Sequence, residues 1–327
     1  MIPRLQFAHL PTPLEPLPRL TRMLAGGQMF VKRDDQTGLA FGGNKARKLE
    51  YLLADAQTRN ARTLITAGAV QSNHCRQTSA AAARHGFDCV LVLSGEPPRH
   101  YSGNILLDKL LNAEIIWTEK SQREQVMNQT FEHLENEGRR PYLIPYGGSN
   151  PIGAVAYAYA MRELLEQWSQ ARLGEGGPDW VVFASSSGGT QAGLLVGAEV
   201  FGYQGRVLGI SVDEVEEVLS SRVAELATET VRLFQKSVIF APKDVLVNGN
   251  YLGGGYGVMG EPEKEAIRMF ASLEGLLLDP VYTGRAAAGL IDLNRQGFFS
   301  AEDTVLFWHT GGTPALFVDT YRDLMVE

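Results

Sequence analysis

Short apolar runs alternate with segments in which apolar residues recur at helical spacing along most of the chain. Such runs predict β-strands, and the helical spacing predicts amphipathic helices. The predicted strands cover residues 29–32, 63–66, 88–93, 114–117, 142–144, 180–184, 206–212 and 304–308. The predicted helices cover residues 75–85, 103–111, 121–137, 153–170, 192–200, 214–234 and 261–273. Because strands and helices alternate through short loops, we expect an α/β fold with helices on both faces of a parallel sheet.

Stretches rich in glycine and proline divide this pattern into two α/β units. Residues 11–18 are rich in proline and predict an extended arm. Residues 174–178 interrupt the alternation, which then restarts, and residues 241–260 are expected to be irregular. The conspicuous polar loops all follow predicted strands. Since ligands of open parallel sheets bind at the carboxyl ends of strands, we expect these loops to form the functional site.

Composition and charge narrow the functional classes. The chain has 327 residues, of which 44% are hydrophobic, and its formal net charge of -7 argues against nucleic acid or an anionic membrane as the main partner. No apolar run approaches the roughly 20 residues that span a bilayer, and the first residues lack the pattern of a signal peptide. The two cysteines, Cys75 and Cys89, have neither a disulfide-framework nor a zinc spacing. We therefore expect a cytoplasmic protein.

The stretch 41–48, Phe-Gly-Gly-Asn-Lys-Ala-Arg-Lys, contains a candidate nucleophile. Its glycine pair allows a tight turn and the close approach of a ligand, and Asn44 is expected to cap the helix that follows. Lys45 would then lie in the first helical turn, where the helix dipole disfavours a cation and favours the neutral amine. A neutral lysine attacks carbonyl groups, including a cofactor aldehyde. The alternative is a solvated surface lysine.

Residues 185–193, Ser-Ser-Ser-Gly-Gly-Thr-Gln-Ala-Gly, follow a predicted strand and open a predicted helix. Free backbone N–H groups at a helix N-terminus, together with hydroxyl groups, suit a phosphate. The lysine of a nucleoside-triphosphate loop and the Gly-x-Gly-x-x-Gly spacing of a dinucleotide site are both missing from this stretch. A flexible turn without a ligand is the alternative. The candidate phosphate ligands are Ser187, Gly188, Gly189 and Thr190.

Further candidates lie in other loops. Ser72 and Asn73 follow a predicted strand, where they could cap a helix or contact a ligand. Thr310, after the last strand, offers a hydroxyl to a heterocyclic nitrogen. Tyr256 lies between glycines, which suggests close backbone approach, and Tyr282 lies in another loop. The 6 histidines show no metal-ligand spacing, so we expect no catalytic metal.

Together these loops match the requirements of pyridoxal 5′-phosphate. That cofactor needs a lysine for its aldehyde, a phosphate site and a partner for its pyridine nitrogen. Lys45, the stretch 185–193 and Thr310 are the candidates for these three tasks. Two alternatives remain, a non-catalytic small-molecule binder and an α/β enzyme that uses the serine- and glycine-rich loop for another phosphorylated ligand.

The whole chain resembles the family of pyridoxal-phosphate enzymes that contains D-cysteine desulfhydrase, 1-aminocyclopropane-1-carboxylate deaminase and L-cysteate sulfo-lyase. The motifs that carry this resemblance are KRDD at 32–35, GGNKARKLE at 42–50, QSNH at 71–74, GGTQAG at 188–193, LDPVYTG at 278–284 and HTGGTPAL at 309–316. The resemblance implies a homodimer with the tryptophan-synthase-β-like fold, which is fold type II of these enzymes.

The same resemblance implies two open, twisted α/β domains. Residues 1–47 and 158–327 would form the large cofactor-binding domain, and residues 48–157 would form the small domain inserted into it. This division replaces the boundary that the break at 174–178 suggests.

The family's roles carry over by motif. Lys45 would bind the cofactor as a Schiff base, Asn73 would contact the pyridine hydroxyl, and residues 187–190 would bind the phosphate. Ser72 would act near the substrate carboxylate or in proton transfer. The two tyrosines of the glycine-rich and Asp-Pro-Val-Tyr motifs would line the substrate side, with the second against the ring; they are Tyr256 and Tyr282.

Two threonines distinguish the members of this family. The deaminase resembles the chain but has Glu at the position of Thr283 and Leu at the position of Thr310. A glutamate that faces the pyridine nitrogen keeps it protonated and makes the ring a strong electron sink, whereas a threonine does not. The weaker sink suits the expulsion of a good β leaving group more than the opening of a cyclopropane ring. L-cysteate sulfo-lyase has Ser-Ala where this chain has Thr283 and Gly284.

With threonine at both positions, the chain resembles the D-cysteine desulfhydrase members of the family. The resemblance therefore implies α,β-elimination of D-cysteine to pyruvate, hydrogen sulfide and ammonia. The α-proton would leave to Lys45, or through Ser72 or a tyrosine. L-cysteate sulfo-lyase and 1-aminocyclopropane-1-carboxylate deaminase remain the alternative activities.

Overall fold

A computed structural model describes residues 2–326. The strands are β1 (Leu14–Pro16), β2 (Gln28–Arg33), β3 (Thr63–Ala69), β4 (Asp88–Ser94), β5 (Glu114–Thr118), β6 (Pro141–Leu143), β7 (Trp180–Ser185), β8 (Arg206–Ser211), β9 (Leu246–Asn248) and β10 (Thr304–His309). The α-helices are α1 (Pro18–Leu24), α2 (Asn44–Thr58), α3 (Asn73–His85), α4 (Gly103–Leu110), α5 (Arg123–Asn136), α6 (Pro151–Gln170), α7 (Gly189–Phe201), α8 (Glu216–Val231), α9 (Glu261–Glu274), α10 (Thr283–Arg295) and α11 (Asp319–Val326).

The larger sheet has six strands in the order β1-β2-β10-β7-β8-β9. Strand β1 pairs with β2 in the antiparallel direction, and the remaining pairs are parallel. Along β10 the apolar side chains alternate between two cores. Val305 and Phe307 pack on one face with α10, and Leu306 and Trp308 pack on the other face with α6. The continuous apolar run of this strand thus reflects burial on both faces of a parallel sheet.

The smaller sheet has four parallel strands in the order β5-β4-β3-β6. Leu64 of β3 faces a core that is built with the apolar faces of α2 and α3, whereas Ile65 faces Leu134 of α5. All four strands fall inside the predicted small domain of residues 48–157. The bounds of the two domains themselves stay a prediction.

A buried ion network connects β2, α2 and α6. The Arg47 guanidinium donates to Asp34 through Nε at 2.9 Å and through Nη2 at 2.8 Å. Its Nη1 donates to Glu163 at 2.9 Å, and Lys32 Nζ donates to the same carboxylate at 2.6 Å. Since each charge has an opposite charge within hydrogen-bonding distance, the network avoids the cost of an unpaired buried ion.

Four elements differ from the sequence-based prediction. The proline-rich arm contains the helix α1, because Pro18 occupies the first helical position, where a missing N–H costs nothing. The short strand β9 lies in the stretch that the sequence predicts to be irregular, with Val247 buried. The helices α10 and α11 are absent from the prediction; α10 begins inside the LDPVYTG motif, which resembles a loop because of its proline and glycine.

Among residues 2–326, no helix combines the length and the apolar character that crossing a bilayer requires.

Candidate active site

The predicted site residues come together at the carboxyl ends of strands in both sheets. One pocket is lined by eight of the ten, namely Lys45, Ser72, Asn73, Ser187, Gly188, Thr190, Tyr282 and Thr310. Gly189 directly follows in the same loop, and Tyr256 lines an adjoining cleft of about 910 Å³. The structure therefore assembles the whole predicted set, although the role of each residue stays a prediction.

Lys45 is the second residue of α2, as predicted, but a different force acts on its amine. Removal from water by burial lowers the pKa of Lys45 from 10.5 to about 8. The helix dipole that the sequence suggested is not needed to explain this shift. The cation that remains at lower pH also contributes, with burial, to the lowered pKa of His74. The pocket thus favours a neutral, nucleophilic lysine.

The N-cap of α2 is Gly43 rather than Asn44, so the predicted cap is wrong. Gly43 has φ of 127°, a conformation that L side chains rarely adopt, and a Cβ there would lie 2.6 Å from Gln77 Nε2. Asn44 is already helical, and its side chain donates instead to the Thr190 hydroxyl at 3.1 Å. This bond joins the lysine-bearing helix to the candidate phosphate loop.

The stretch 185–193 forms the N-terminus of α7, with Gly188 as the N-cap at φ of 85°. A Cβ on Gly189 would lie 2.5 Å from Ser149 Oγ, so only glycine leaves this space open. Ser149 Oγ accepts from the Gly189 amide at 3.1 Å and lies 2.8 Å from Ser187 Oγ. The arrangement is a cradle of backbone amides and hydroxyls that suits a phosphate.

Lys48 is a candidate functional residue that the sequence reasoning missed. It is fully buried, and its Nζ donates to the Gly147 carbonyl at 3.2 Å and to Ser149 Oγ at 3.4 Å. Burial, together with the charge of Lys45, holds its pKa well below the usual value. Its Nζ would lie 2.9 Å from a Cβ on Gly189. The described residues that bond this amine are neutral, so no carboxylate balances its charge. A phosphate in the cradle would supply the opposite charge.

Ser72 and Asn73 have structural tasks as well as a place in the pocket. Ser72 is the N-cap of α3, and its Oγ accepts from the Cys75 amide at 3.2 Å. Asn73 Oδ1 accepts from Asn104 Nδ2 at 2.9 Å. The helix-cap interpretation therefore holds for Ser72 and not for Asn73, which is the first residue of α3, and the ligand contact of both residues stays a prediction.

The two threonines that distinguish family members have different surroundings. Thr283 is fully buried, and its hydroxyl donates to Asp279 Oδ1 at 2.7 Å while it accepts from the Asp279 amide at 2.7 Å. Its hydroxyl is therefore bonded to Asp279 at the start of α10, and the comparison of this position with the glutamate that faces the pyridine nitrogen in the deaminase stays a prediction. Thr310 lines the pocket.

Three tyrosines surround the mouth of the pocket. The Tyr256 and Tyr282 hydroxyls are 2.7 Å apart, and their rings meet edge to face with centroids 5.9 Å apart. Burial holds the pKa of both well above the usual value, so both are neutral at physiological pH. Tyr146, which the sequence reasoning missed, lines both the pocket and the cleft. Because a tyrosine in a Tyr-Gly-Gly turn carries no distinctive signal, only the fold reveals its position.

Within the described part of the chain, no group of His, Cys, Asp and Glu side chains has the arrangement of a metal site.

A family profile described as pyridoxal-phosphate dependent enzyme matches residues 5–311. The chain belongs to this family. Its cofactor is therefore pyridoxal phosphate, and the pocket fits that group. The lysine of lowered pKa can take the aldehyde, and the cradle that a Cβ on Gly189 would fill, with Lys48 beside it, can take the phosphate. The predicted cofactor and family are confirmed.

Known relatives cover almost the whole chain. D-cysteine desulfhydrases of Salmonella typhimurium (strain LT2) and Salmonella newport (strain SL254) are each 44% identical over 325 residues, which is 96% of this chain and 95% of the relative. A crystal structure of an ACC deaminase homologue superposes with a TM-score of 0.88 at 38% identity and covers 99% of this chain and 96% of that one.

A threonine deaminase from T.th. shares the fold alone, with a TM-score of 0.66 at 19% identity over 92% of each chain. Together, these similarities and the two sheets confirm the predicted α/β fold of type II.

Proposed function

We propose that this chain catalyses the α,β-elimination of D-cysteine to pyruvate, hydrogen sulfide and ammonia. The observation that carries the proposal is the 44% identity to two D-cysteine desulfhydrases over 96% of the chain. The hand of the substrate is taken from the names of these relatives, and the pocket supplies the residues that the reaction needs.

The cofactor would be held by four groups of residues. Lys45 Nζ would bind its aldehyde, and Asn73 would contact the ring hydroxyl. The phosphate would lie among the amides and hydroxyls of residues 187–190, with Lys48 as the cation beside it. Thr310 would face the ring nitrogen. When bound, pyridoxal phosphate withdraws electrons from the α-carbon of an amino acid and so makes the α-proton acidic.

Residues of this chain would then move that proton. Lys45 Nζ, released when the substrate amine takes its place, would accept the proton in the neutral form that burial favours. The hydroxyls of Ser72 and Tyr282 line the same pocket and are the other candidates to carry it. Departure of hydrosulfide needs no strong acid, because this anion is a good leaving group. Tyr256 and Tyr282 would line the substrate side of the site.

The hydroxyl of Thr310 favours elimination over ring opening. A neutral hydroxyl opposite the ring nitrogen would leave the nitrogen unprotonated, which makes the ring a weaker electron sink than a carboxylate partner would. Expulsion of a thiolate tolerates a weaker sink, whereas opening a cyclopropane ring does not. The similarity to an ACC deaminase homologue makes 1-aminocyclopropane-1-carboxylate the competing substrate, and L-cysteate is the other.

The test supplies the purified protein, which should be yellow, with D-cysteine, L-cysteate or 1-aminocyclopropane-1-carboxylate in parallel. We expect equal amounts of pyruvate and sulfide from D-cysteine. If L-cysteate releases sulfite while D-cysteine does not react, the protein is a sulfo-lyase and the proposal is wrong. If 1-aminocyclopropane-1-carboxylate gives 2-oxobutyrate as fast as D-cysteine gives pyruvate, the protein is a deaminase. A colourless protein that takes up no pyridoxal phosphate would contradict every version.

The proposal includes a homodimer in the cytoplasm. Family resemblance supports the dimer. Size-exclusion chromatography with light scattering measures the mass in solution, and the mass of a monomer would contradict the dimer. Cys75 and Cys89 are free and buried, which supports a reducing compartment, and burial raises the pKa of both thiols, so both are protonated.

A further inference from the structure

The side-chain amide of Asn104 fixes the orientation of the Asn73 amide. Asn104 is fully buried in α4, and its Nδ2 lies 2.9 Å from the Gln71 carbonyl oxygen and 2.9 Å from Asn73 Oδ1. Because a carbonyl oxygen can only accept, the atom of Asn104 that faces Gln71 has to be nitrogen. Its second hydrogen points to Asn73, so the atom that receives it has to be the amide oxygen.

This chain of donors leaves the amide nitrogen of Asn73 for the pocket. Asn73 lines the pocket, and within residues 2–326 its Nδ2 has no hydrogen-bond acceptor. An amide that presents N–H groups suits an acceptor oxygen, above all an ionised one. The opposite rotamer would present a carbonyl oxygen and repel such a ligand.

Packing alone does not explain an asparagine at position 104. Its Oδ1 is buried without a partner among the described residues, which is destabilising. An apolar side chain of similar size would remove that penalty. The two hydrogens of Nδ2, in contrast, are both used. An asparagine at position 104 is therefore explained by the two hydrogen bonds that its Nδ2 donates, and not by the bonding of its Oδ1.

We infer that Asn104 is a positioning residue that selects the rotamer in which Asn73 donates to the ring oxygen of the cofactor. The inference rests on the proposed contact of Asn73 with that oxygen. Asn104 does not itself line the pocket and acts only through its neighbour.

Four variants of the holoenzyme test the inference through the visible absorption maximum and the cofactor dissociation constant. Asn73→Ala sets the full effect of losing the contact. Asn104→Asp keeps the shape of the side chain but replaces the donor, and Asn104→Leu removes it. Gln71→Leu is the matched control. It removes the bonds of the Gln71 side chain to Ser102 and to the backbone N–H of Asn104, but it keeps the backbone carbonyl of residue 71 that accepts from Asn104 Nδ2.

We expect Asn104→Asp to move the absorption maximum in the same direction as Asn73→Ala and to weaken cofactor binding by roughly 10- to 100-fold. Asn104→Leu should cause a smaller change of the same sign, and Gln71→Leu should keep the wild-type spectrum. Wild-type spectra and affinities for both Asn104 variants, with an altered Asn73→Ala, would overturn the inference and leave the proposed function intact. An unaltered Asn73→Ala would overturn the proposed contact and the inference with it.

Discussion

The hydroxyl groups of Tyr256 and Tyr282 lie 2.7 Å apart, although the residues come from different loops 26 positions apart in the chain. Only one of the two hydroxyl hydrogens can lie between the oxygens. The other can be donated to a ligand or to the neighbouring Tyr146 hydroxyl, with which Tyr282 also interacts, and the high pKa values of Tyr256 and Tyr282 keep it in place at neutral pH. The pair is thus a neutral donor at the mouth of the cofactor pocket.

Removing either hydroxyl should impair turnover more than it impairs folding. We expect Tyr256→Phe and Tyr282→Phe each to lower kcat/KM for D-cysteine by roughly 10- to 100-fold, because the donated hydrogen bond is lost or misdirected. Tyr251→Phe is the matched control, since the Tyr251 hydroxyl bonds Asp292 outside the pocket. Wild-type kinetics in both pocket variants would refute a substrate-side role for the pair.

The contrast between Thr310 and Thr283 gives a second prediction. Thr310→Val should lower kcat for D-cysteine and alter the cofactor spectrum, because it removes the hydroxyl in the pocket. Thr283→Val should instead destabilise the protein by about 1–3 kcal/mol, since it leaves buried partners on Asp279 unsatisfied. Kinetics of the folded variants and urea unfolding distinguish the two effects. A spectral change in Thr283→Val with none in Thr310→Val would reverse the assignment.

The low pKa of Lys45 makes cofactor uptake depend on pH in a defined way. The neutral amine, which attacks an aldehyde, becomes more abundant as pH rises towards the pKa of about 8. The initial rate of pyridoxal phosphate uptake by the cofactor-free protein should therefore rise about tenfold per pH unit at low pH and level off above about pH 8. A rate that keeps rising up to about pH 10, near the usual pKa of a lysine side chain, would indicate an ordinary, solvated lysine.

The ion network around Glu163 should appear in the acid stability of the protein. Burial alone would raise the pKa of Glu163, but the hydrogen bonds and charges of Arg47 and Lys32 outweigh it and lower the pKa to about 2. Because the folded-state pKa lies below the unfolded value of 4.5, the stabilisation is present above pH 4.5 and is lost as pH falls towards 2.

Glu163→Gln should accordingly lose about 3 kcal/mol of unfolding free energy at neutral pH, and its difference from the wild type should shrink as the pH falls below the unfolded-state pKa. Glu166→Gln, which changes an exposed carboxylate of the same helix, should change stability by less than about 0.5 kcal/mol. Urea unfolding at several pH values measures both. A difference that stays constant down to about pH 3 would contradict the pKa of Glu163.

The sequence is sufficient for the local features of the fold and site. Apolar runs locate the main strands, and the positions of Lys45 and residues 185–193 at helix N-termini follow from the strand–loop–helix order. These features depend on neighbours in the chain, which a sequence displays directly. The same holds for the resemblance, which rests on contiguous motifs.

Features that depend on distant contacts could not be predicted. In the sequence, Lys48 looks like a surface lysine. In the structure it is buried by the turn at Gly147, which lies 99 positions away in the chain. The link from Asn104 to Asn73 joins residues 31 positions apart, and Asn104 is an ordinary polar residue in the sequence. The helix α10 is hard to recognise because its first turn carries the glycine of a loop-like motif, while its apolar residues face the core of the larger sheet.

The central claim is that one particular lysine binds the cofactor covalently. The most direct measurement is reduction of the yellow protein with borohydride, followed by proteolysis and mass spectrometry of the labelled peptide. We expect the reduced pyridoxal phosphate on Lys45, with Lys48 in the same peptide region unmodified. A label on Lys48, or no labelled lysine in a protein that still turns over D-cysteine, would contradict the claim.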